Sequence, residues 1–322
     1  MEENSKPKTE LSTEPYKGVR DFYPEDMAVQ NYIFDTWKKV AKEAGYLEYS
    51  ASILEPAELY RSKTSSEIVN YQTFSFIDRG DREVVLRPEM TPTLARMIAG
   101  RRRSLKFPLR WFSIPNGFRN EKPQRGRKRE HWQLNCDLLG IADTSAEVEI
   151  ISLAYNIMKA FGAKDEDFII KINDRKKILK GIREKGASDE QEASIISLLD
   201  KKEKLSPEEF KDQAKTILGE VLDLEFEEGE DTKEILEKLN EKGIKNVEFN
   251  SSIVRGFNYY TGMVFEVFDT SPENNRSLFG GGRYDNLLEI FGVEPVPTVG
   301  FGMGDVTIRD FLETHGLPLA EK

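Results

Sequence analysis

The sequence predicts an α+β fold in which a mostly antiparallel sheet is flanked by helices, with a separate helical insertion. Short β-rich runs follow one another without a helix between each pair, and the helical periods are gathered in segments of their own. In addition, β character returns late in the chain after a long segment that lacks it. Strands in succession with helices grouped apart are typical of α+β domains, whereas doubly wound sheets alternate strand and helix.

The first predicted element is an amphipathic helix over Met27–Ala44. Its apolar residues, among them Ile33 and Trp37, recur at helical spacing, and Gly45 ends the pattern. A second amphipathic helix is predicted over Ser145–Phe161 by the same periodicity. Runs rich in strand-forming residues predict the strands Glu83–Arg87, Leu109–Ile114, Trp132–Leu138 and Phe168–Ile172.

A change of composition after Asn173 marks the insertion. Lys, Glu and Leu dominate the next segment, and 322 residues are enough for two domains. We therefore expect a disordered tail (residues 1–15), a main domain (16–175 and 246–322) and a helical insertion domain (176–245). The predicted helices of the insertion are Lys176–Lys185, Asp189–Leu199, Pro207–Leu218 and Thr232–Glu241. The main domain resumes with the predicted strands Met263–Phe268 and Ser277–Gly282 and a final helix over Val306–His315.

The net charge of −10 conceals a strong asymmetry along the chain. Residues 101–130 contain eleven Lys and Arg against two Glu, whereas residues 181–240 contain nine basic against eighteen acidic side chains. The basic block is either a solvated face or a site for phosphate-bearing ligands, because the Arg guanidinium matches phosphate geometry.

Cysteine and histidine are scarce. Cys136 is the one cysteine, and His131 and His315 are the two histidines, so we expect neither a disulfide framework nor a metal site built from these residues. No run of eighteen apolar residues and no signal peptide is present, which predicts a protein without a membrane partner. A reducing, cytoplasmic setting fits best.

The first candidate functional segment is Leu86–Thr93. A predicted strand runs into a proline-bounded turn that presents Glu89 and Thr91. A carboxylate and a hydroxyl at a strand end can hold an ammonium group through charge-assisted hydrogen bonds. The alternative is an ordinary exposed turn.

The second segment is Gly117–Glu130. Arg119 ends a β-rich stretch, and Lys122–Arg129 is predicted to be a mobile loop that joins two antiparallel strands. An arginine projecting into a pocket beneath a basic loop suits a nucleotide phosphate and then a nucleic-acid backbone. Taken alone, the segment would equally fit a generic RNA-binding loop.

The third and fourth segments combine arginine, tyrosine and glycine. In Val254–Glu266, Arg255 precedes a glycine and is followed by Tyr259 and Tyr260, whose rings offer amphipathic walls. In Phe279–Asp285, three glycines allow a backbone to approach a ligand closely, although a flexible turn is the alternative. With no P-loop, dinucleotide fingerprint or H-E-x-x-H motif, the chemistry must rest on Arg, Glu, Tyr and metal-bound phosphate.

These four segments, in this order, resemble the class II histidyl-tRNA synthetases. Arg255–Glu266 and Gly280–Asp285 look like the two histidine-specific signatures of that family. The resemblance covers nearly the whole chain, from Tyr16 to Leu312. It implies a six-stranded antiparallel sheet with flanking helices and a homodimer.

The resemblance also implies roles for individual residues. Arg119 matches the arginine that grips the α-phosphate of ATP, and Arg255 matches the catalytic arginine between that phosphate and the histidine carboxylate. Glu121 and Arg127 match further ATP contacts. Residues that match the histidine site are Glu89, Thr91, Gln133, Asp137, Tyr259, Tyr260 and Tyr284. Lys122, Gln124 and Arg129 fall where the tRNA acceptor end is expected.

The implied activity is ATP-dependent formation of histidyl-adenylate and its transfer to tRNA(His), with Mg²⁺ bound through the phosphates of ATP and no metal site of the protein's own. Thr307 stands where the third class II motif has an arginine, and Asp137 where the family has glutamate. The chain ends at Lys322, where the family continues into an anticodon-binding domain. Alternatives are the histidine-sensing regulatory subunit of ATP phosphoribosyltransferase, which does no chemistry, and a plain RNA-binding module.

Overall fold

A computed structural model describes residues 11–61, 72–184, 186–200, 202, 205–219, 228–255, 259–274 and 276–320. Most of the predicted tail, Lys185 in the first insertion helix, and Gly256–Asn258 in the third candidate segment lie outside the described residues. All the individual site residues predicted from the sequence lie within them.

The main sheet has nine strands in the part of the chain that is described. These are β1 (Leu47–Glu48), β5 (Leu109–Ser113), β6 (Asn116–Phe118), β7 (Glu130–Leu139), β8 (Phe168–Asp174), β9 (Val247–Phe249), β10 (Met263–Asp269), β11 (Ser277–Arg283) and β12 (Thr298–Gly304). Their spatial order is β1-β5-β7-β12-β11-β10-β8-β9, and β6 pairs with the first part of β7. A second, small sheet contains β2 (Leu54–Pro56), β4 (Glu83–Leu86) and β3 (Phe74–Ile77), in that order.

The six central strands, from β5 to β8, pair antiparallel throughout. The predicted α+β class with a six-stranded antiparallel sheet is therefore confirmed. Two short parallel strands, β1 beside β5 and β9 beside β8, extend the sheet at its edges. β1 was not predicted, and for β9 the sequence indicated only that β character returns from Val247, because strands of two or three residues are too short to show a periodic pattern.

Nine α-helices accompany the sheets in the described ranges: α1 (Pro24–Glu43), α2 (Ala57–Arg61), α3 (Thr91–Arg101), α4 (Ser145–Ala160), α5 (Arg175–Glu184), α6 (Asp189–Asp200), α7 (Pro207–Leu218), α8 (Glu230–Glu241) and α9 (Asp305–Thr314). Short 3-10 helices occupy Asp165–Asp167 and Leu287–Phe291. No helix within these ranges is long and apolar enough to cross a membrane.

One face of the main sheet forms the core with helices α1, α4 and α9. Fully buried side chains from these helices and from three strands meet there: Trp37, Ile151, Phe311, Phe112, Cys136 and Phe265. Removing this apolar surface from water is the main favourable contribution to folding. Because side chains alternate along a strand, the residues between the core positions of β7 point to the opposite face, where the candidate site lies.

Helices α5, α6 and α7 share an apolar cluster of their own, which includes Ile178, Ile195 and Phe210. Ile235 and Leu239 of α8 instead pack into the core of the main sheet. The insertion domain over residues 176–245 stays a prediction. Within this range, α8 is the helix that packs against the main sheet.

The segment after β4 is not only the turn that the sequence suggested. Thr91 is the first residue of α3, and Pro92 occupies the next position. Proline is tolerated in the first helical turn, because the amide hydrogen that it lacks would have no intrahelical partner there. Glu89 therefore lies just before a helix, and Thr91 lies within its first turn.

Candidate active site

The centre of the site is a patch of sheet without side chains. Gly280 and Gly282 of β11 lie opposite Gly302 and Gly300 of β12, on the face turned away from the core. We call these four residues the glycine floor. A Cβ atom at Gly302 would lie 2.6 Å from Nε2 of Gln133, and one at Gly282 would lie 2.9 Å from the Tyr260 ring. The side chains around the floor thus occupy the space that larger residues would need.

Asp137 and Tyr284 stand together at one side of the glycine floor. The Tyr284 hydroxyl donates a hydrogen bond to Oδ1 of Asp137, and both side chains are buried. Burial raises the pKa of Asp137 to about 7, although the hydrogen bond from Tyr284 favours the ionised form. A Cβ at Gly300 would overlap Oδ1 of Asp137. The carboxyl group can therefore exchange a proton near neutral pH directly at the floor.

Three tyrosine rings form an aromatic wall. The ring centroid of Tyr259 lies 5.0 Å from that of Tyr260 and 5.6 Å from that of Tyr284. The Tyr259 hydroxyl donates to Oε2 of Glu89 at 3.1 Å and also contacts the side chain of Thr91. The first, third and fourth segments found in the sequence therefore meet in space. Apolar ring faces with polar tips suit a small aromatic ligand that carries charged groups.

Arg255 reaches the floor from a loop in a strained conformation. Its φ of +58° lies in the left-handed region, which non-glycine residues rarely adopt. The guanidinium pairs with Glu266 of β10, and a Cβ at Gly280 would lie 2.8 Å from its Nη1 atom. Burial opposes the charged form of Arg255, but Glu266 outweighs it and raises the pKa of the guanidinium. Glu266 thus fixes a permanent cation beside the floor.

Arg119 follows β6 and lies against the turn that carries Glu89. Its Nε donates to the carbonyl of Pro88 at 3.0 Å. Burial and the neighbouring Arg119 and Arg20 lower the pKa of His131 to about 3, so this histidine is neutral at physiological pH. The joint approach of Arg119 and Arg255 to one phosphate stays a prediction.

The basic loop between β6 and β7 contains an ordered turn, and it joins two antiparallel strands as predicted. The backbone N–H of Gln124 donates to the Arg127 carbonyl at 3.1 Å, and the reverse bond measures 3.0 Å. Arg127 pairs with Glu121 at 3.3 Å. Lys122, Gln124 and Arg127 are exposed, as contact with a large partner requires.

Arg129 is held more firmly than the other predicted tRNA contacts. Its Nη1 donates to the Tyr16 hydroxyl at 2.9 Å and to the Lys17 carbonyl at 3.3 Å, and its Nε donates to the Glu121 carbonyl at 3.2 Å. The guanidinium also lies over the Tyr16 ring. Arg129 therefore ties the start of the described chain to the basic loop.

The structure brings the predicted histidine-site residues and Arg255 together around the glycine floor. Sequence reasoning missed two parts of the site: Glu266 as the partner of Arg255, and Gly300 and Gly302 as half of the floor. A signal for the second part was present. Glycines two apart in β12 repeat the spacing of Gly280 and Gly282, and residues two apart share one face of a strand.

Thr307, which stands where the third class II motif has an arginine, lies in the first turn of α9. The Thr307 hydroxyl lies within hydrogen-bond distance of two carbonyl oxygens, that of Leu278 at 2.7 Å and that of Gly304 at 3.1 Å. Arg309, two residues later, pairs with Asp26 of α1 at 3.3 Å and with Glu313 at 2.9 Å. The Arg309 guanidinium therefore links α9 to α1.

A six-stranded antiparallel sheet with this site on its open face defines a class II aminoacyl-tRNA synthetase fold. A crystal structure described as histidyl-tRNA synthetase from Nostoc sp. PCC 7120 matches it with a TM-score of 0.79, at 20% identity, over 97% of this chain and 78% of that one. A second, described as an ATP phosphoribosyltransferase regulatory subunit/histidyl-tRNA synthetase from Bacillus halodurans C, has a TM-score of 0.74 and 25% identity, over 94% and 83% of the two chains.

A family model described as histidyl-tRNA synthetase matches residues 18–306. The histidine–tRNA ligase of Leptospira biflexa is 45% identical over 95% of this chain and 76% of its own length. The corresponding ligase of Thermoplasma volcanium is 39% identical over 97% and 78%. The chain belongs to the histidyl-tRNA synthetase family, and it spans about three quarters of the length of these relatives.

Proposed function

We propose that this chain activates L-histidine with ATP to histidyl-adenylate and transfers the histidyl group to tRNA(His). The observation that carries the proposal is the glycine floor with its surroundings: a titratable Asp137–Tyr284 pair, an aromatic wall and the Arg255–Glu266 pair all border it. A small amino acid with an aromatic, proton-exchanging side chain matches each of these groups.

Glu89 and Thr91 would hold the ammonium group of histidine. Their contacts with the Tyr259 hydroxyl place an anion and hydroxyl oxygens at one end of the site. Gln133 and Asp137 would bind nearby polar parts of the substrate, while Tyr259, Tyr260 and Tyr284 would line the imidazole pocket. The charge-assisted hydrogen bond between a carboxylate and an ammonium group is among the stronger interactions available to such a site.

In the first step, an oxygen of the histidine carboxylate would attack the α-phosphorus of ATP. A bond forms between them, the bond from the α-phosphorus to the bridging oxygen breaks, and pyrophosphate leaves. The carboxylate is already an anion, so no general base is needed. Arg119 and Arg255 would stabilise the charge that develops on the α-phosphoryl oxygens, which is the main contribution a protein makes to phosphoryl-centre reactions.

In the second step, the terminal ribose hydroxyl of tRNA would attack the carbonyl carbon of the adenylate. The bond from this carbon to the phosphate oxygen breaks, AMP leaves, and the hydroxyl proton passes to water. Lys122, Gln124 and Arg129 of the basic loop would meet the acceptor end, while Glu121 and Arg127 would contact ATP. Among the described residues no group of three or more His, Cys, Asp or Glu could hold a metal ion. Mg²⁺ would bind mainly through the phosphate oxygens of ATP, where it neutralises charge.

The predicted homodimer also stays a proposal. Exposed apolar side chains on one face of the small sheet support it: Leu54 and Phe76 lie on the face opposite to buried Val85 and are 46% and 48% exposed. Apolar groups clustered on a surface are characteristic of protein interfaces.

The decisive experiment for the proposed function is histidine-dependent exchange of labelled pyrophosphate into ATP. A histidine-activating enzyme catalyses this exchange in the absence of tRNA, and we expect it from the purified chain. A regulatory subunit or an RNA-binding module would bind its ligand and catalyse no exchange. Arg255→Ala, assayed in parallel, excludes exchange by a contaminating enzyme.

A further inference from the structure

Two arginines from distant parts of the chain converge on α9. Nε of Arg125, in the turn of the basic loop, lies 3.6 Å from Oδ2 of Asp310, and Nη1 of Arg276, just before β11, lies 3.7 Å from the same oxygen. This oxygen is buried and accepts no hydrogen bond from the residues that the structure describes. Two guanidinium groups around one carboxylate leave an excess of positive charge.

The side chain of Arg276 is enclosed by the basic loop. A Cβ at Gly126 would overlap its Nη1 atom, so the loop backbone lies directly on the guanidinium. Arg125 fixes the loop in this place by donating from Nη1 to the carbonyl of Glu273 at 3.3 Å. The side chain of Arg276 is only 29% exposed. Its guanidinium is therefore positioned between the loop, the β10–β11 connection and α9.

Asp310, the partner of this guanidinium, lies one helical turn after Thr307 on α9. Helix side chains tilt toward the N-terminus, and residues three apart are neighbours on one face, so the Asp310 carboxylate leans over that turn. Thr307 contacts the carbonyl of Leu278, two residues after Arg276. A cation held by Asp310 is thus close to the place from which the family's motif-three arginine would project.

We propose that Arg276, positioned by Asp310, binds the β- and γ-phosphates of ATP in place of the arginine that Thr307 replaces. The inference rests on the proposed histidine activation. It names a residue for the γ-phosphate contact that the family resemblance implies for the arginine absent at position 307. Arginine is suited to this role because its planar guanidinium can donate two parallel hydrogen bonds to phosphate oxygens. In the reverse reaction, the same group binds pyrophosphate.

The test uses Arg276→Ala in the full chain, with Arg276→Gln as a variant that keeps most of the side-chain stem. We expect the KM values for ATP and for pyrophosphate in the exchange reaction to rise about 10- to 100-fold, the effect of losing a charged hydrogen bond. The KM for histidine stays within about twofold, because Arg276 lies outside the tyrosine wall. Equilibrium dialysis without histidine gives a matching rise in the Kd for ATP.

Three further variants sharpen the result. Arg276→Ala combined with Thr307→Arg regains most of the lost affinity for ATP, because the arginine returns to its family position. Asp310→Asn raises the KM for ATP but not for histidine, which separates positioning of Arg276 from a general structural role. Arg309→Ala, on the same helix but paired toward α1, is the matched control and leaves every constant unchanged.

Unchanged ATP and pyrophosphate constants in Arg276→Ala would overturn this inference, while exchange by the parent chain would leave the proposed function standing. A double variant as weak as the single one would also count against Arg276 as the replacement for position 307. Conversely, a parent chain that catalyses no exchange but whose Kd for ATP depends on Arg276 would refute histidine activation alone.

Discussion

Arg255 is the residue of the site in which backbone strain and a partly buried ion pair occur together. Its left-handed backbone conformation is costly for a residue with a side chain, and a rigid ion pair with Glu266 holds the guanidinium at the glycine floor. Strain of this kind persists where the surrounding structure imposes it, which supports a functional rather than a structural role.

Replacement of Arg255 by alanine should therefore reduce the rate of histidyl-adenylate formation. We expect a loss of about 10²–10³-fold, comparable to the removal of one preorganised donor in other active sites. The measurement is the rate of pyrophosphate exchange at saturating histidine and ATP. Arg61→Ala removes an exposed arginine that pairs with Glu83 outside the site, and serves as the control. A variant as fast as the parent would exclude Arg255 from catalysis.

Asp137 should make the folded protein less stable as the pH rises. Its folded pKa of about 7 lies above its ordinary value, so between pH 4 and pH 7 the folded state binds a proton that the unfolded state has lost. The contribution is fully present below the unfolded pKa and is lost as the pH rises through the folded one. Relative to Asp137→Asn, the free energy of unfolding should fall by about 1.4 kcal/mol per pH unit in this window.

Urea denaturation of both proteins at several pH values between 4 and 8 measures this difference. The asparagine variant keeps the volume of the side chain and removes the titration. The stability of both proteins will vary with pH because of their many other acidic groups, so only the difference between them is informative. Parallel stability profiles would show that Asp137 titrates normally.

At the scale of single elements, β11 and β12 form the floor because glycine alone fits there. Gly300→Ala would place a Cβ against Oδ1 of Asp137, with the Tyr284 hydroxyl 2.8 Å away. We expect the KM for histidine to rise at least about tenfold and the stability to fall by about 1–3 kcal/mol, the usual cost of overpacking. Exchange kinetics and urea denaturation measure the two effects.

Gly100→Ala is the matched control for the glycine floor. Gly100 lies in α3, and among the described residues no atom would come within 4 Å of its added Cβ. This substitution should leave histidine binding unchanged and stabilise the helix by about 1 kcal/mol. If Gly300→Ala behaved in the same way, the floor would have no part in substrate recognition.

The basic loop is the element that we assign to tRNA. Lys122→Ala should weaken binding of tRNA several-fold and reduce the slope of log K against log salt by about 0.7–0.9, the value for one lost phosphate contact. Pyrophosphate exchange should not change. Lys42→Ala, an exposed lysine of α1 that is paired with Glu48, is the control. An unchanged salt slope would move the tRNA contact away from Lys122.

Long helices were predictable because their apolar residues repeat at helical spacing over several turns. The predicted Pro207–Leu218 helix has the same bounds in the structure, and its start follows from Ser206, whose Oγ accepts from the Glu209 amide at 3.2 Å. By contrast, α3 was missed because two prolines and a threonine at its start indicate a turn as readily as a helix. The order of the strands could not be predicted at all, because it depends on contacts between distant segments.

At the scale of the whole molecule, the sequence indicated which residues form the site but not how they meet. Glu89 and Tyr259 are 170 positions apart in the chain, as their hydrogen bond shows, and Tyr284 and Asp137 are 147 positions apart. Their residue types and motifs were visible, whereas their proximity is a property of the folded sheet. The Arg276–Asp310 contact also depends on the folded sheet, but it had no signal in the sequence, because neither residue lies in a recognised motif.

The effect of the charge asymmetry on ligand binding also depends on the folded molecule. A net charge of −10 would repel both ATP and tRNA, but the basic loop and the arginines near the floor present a local positive field to them. The helices rich in acidic residues lie outside this region in sequence, and α5–α7 form their own apolar cluster. The molecule can therefore be acidic overall and still bind polyanions at one place.

A crystal structure of the full chain with histidine and an unreactive ATP analogue would show how the two substrates bind relative to the glycine floor and the two arginines. We predict that the imidazole lies beside Asp137 and Tyr284 over the glycine floor, and that Arg119 and Arg255 both contact the α-phosphate. Histidine bound elsewhere, or the two guanidinium groups directed into separate cavities, would contradict the account.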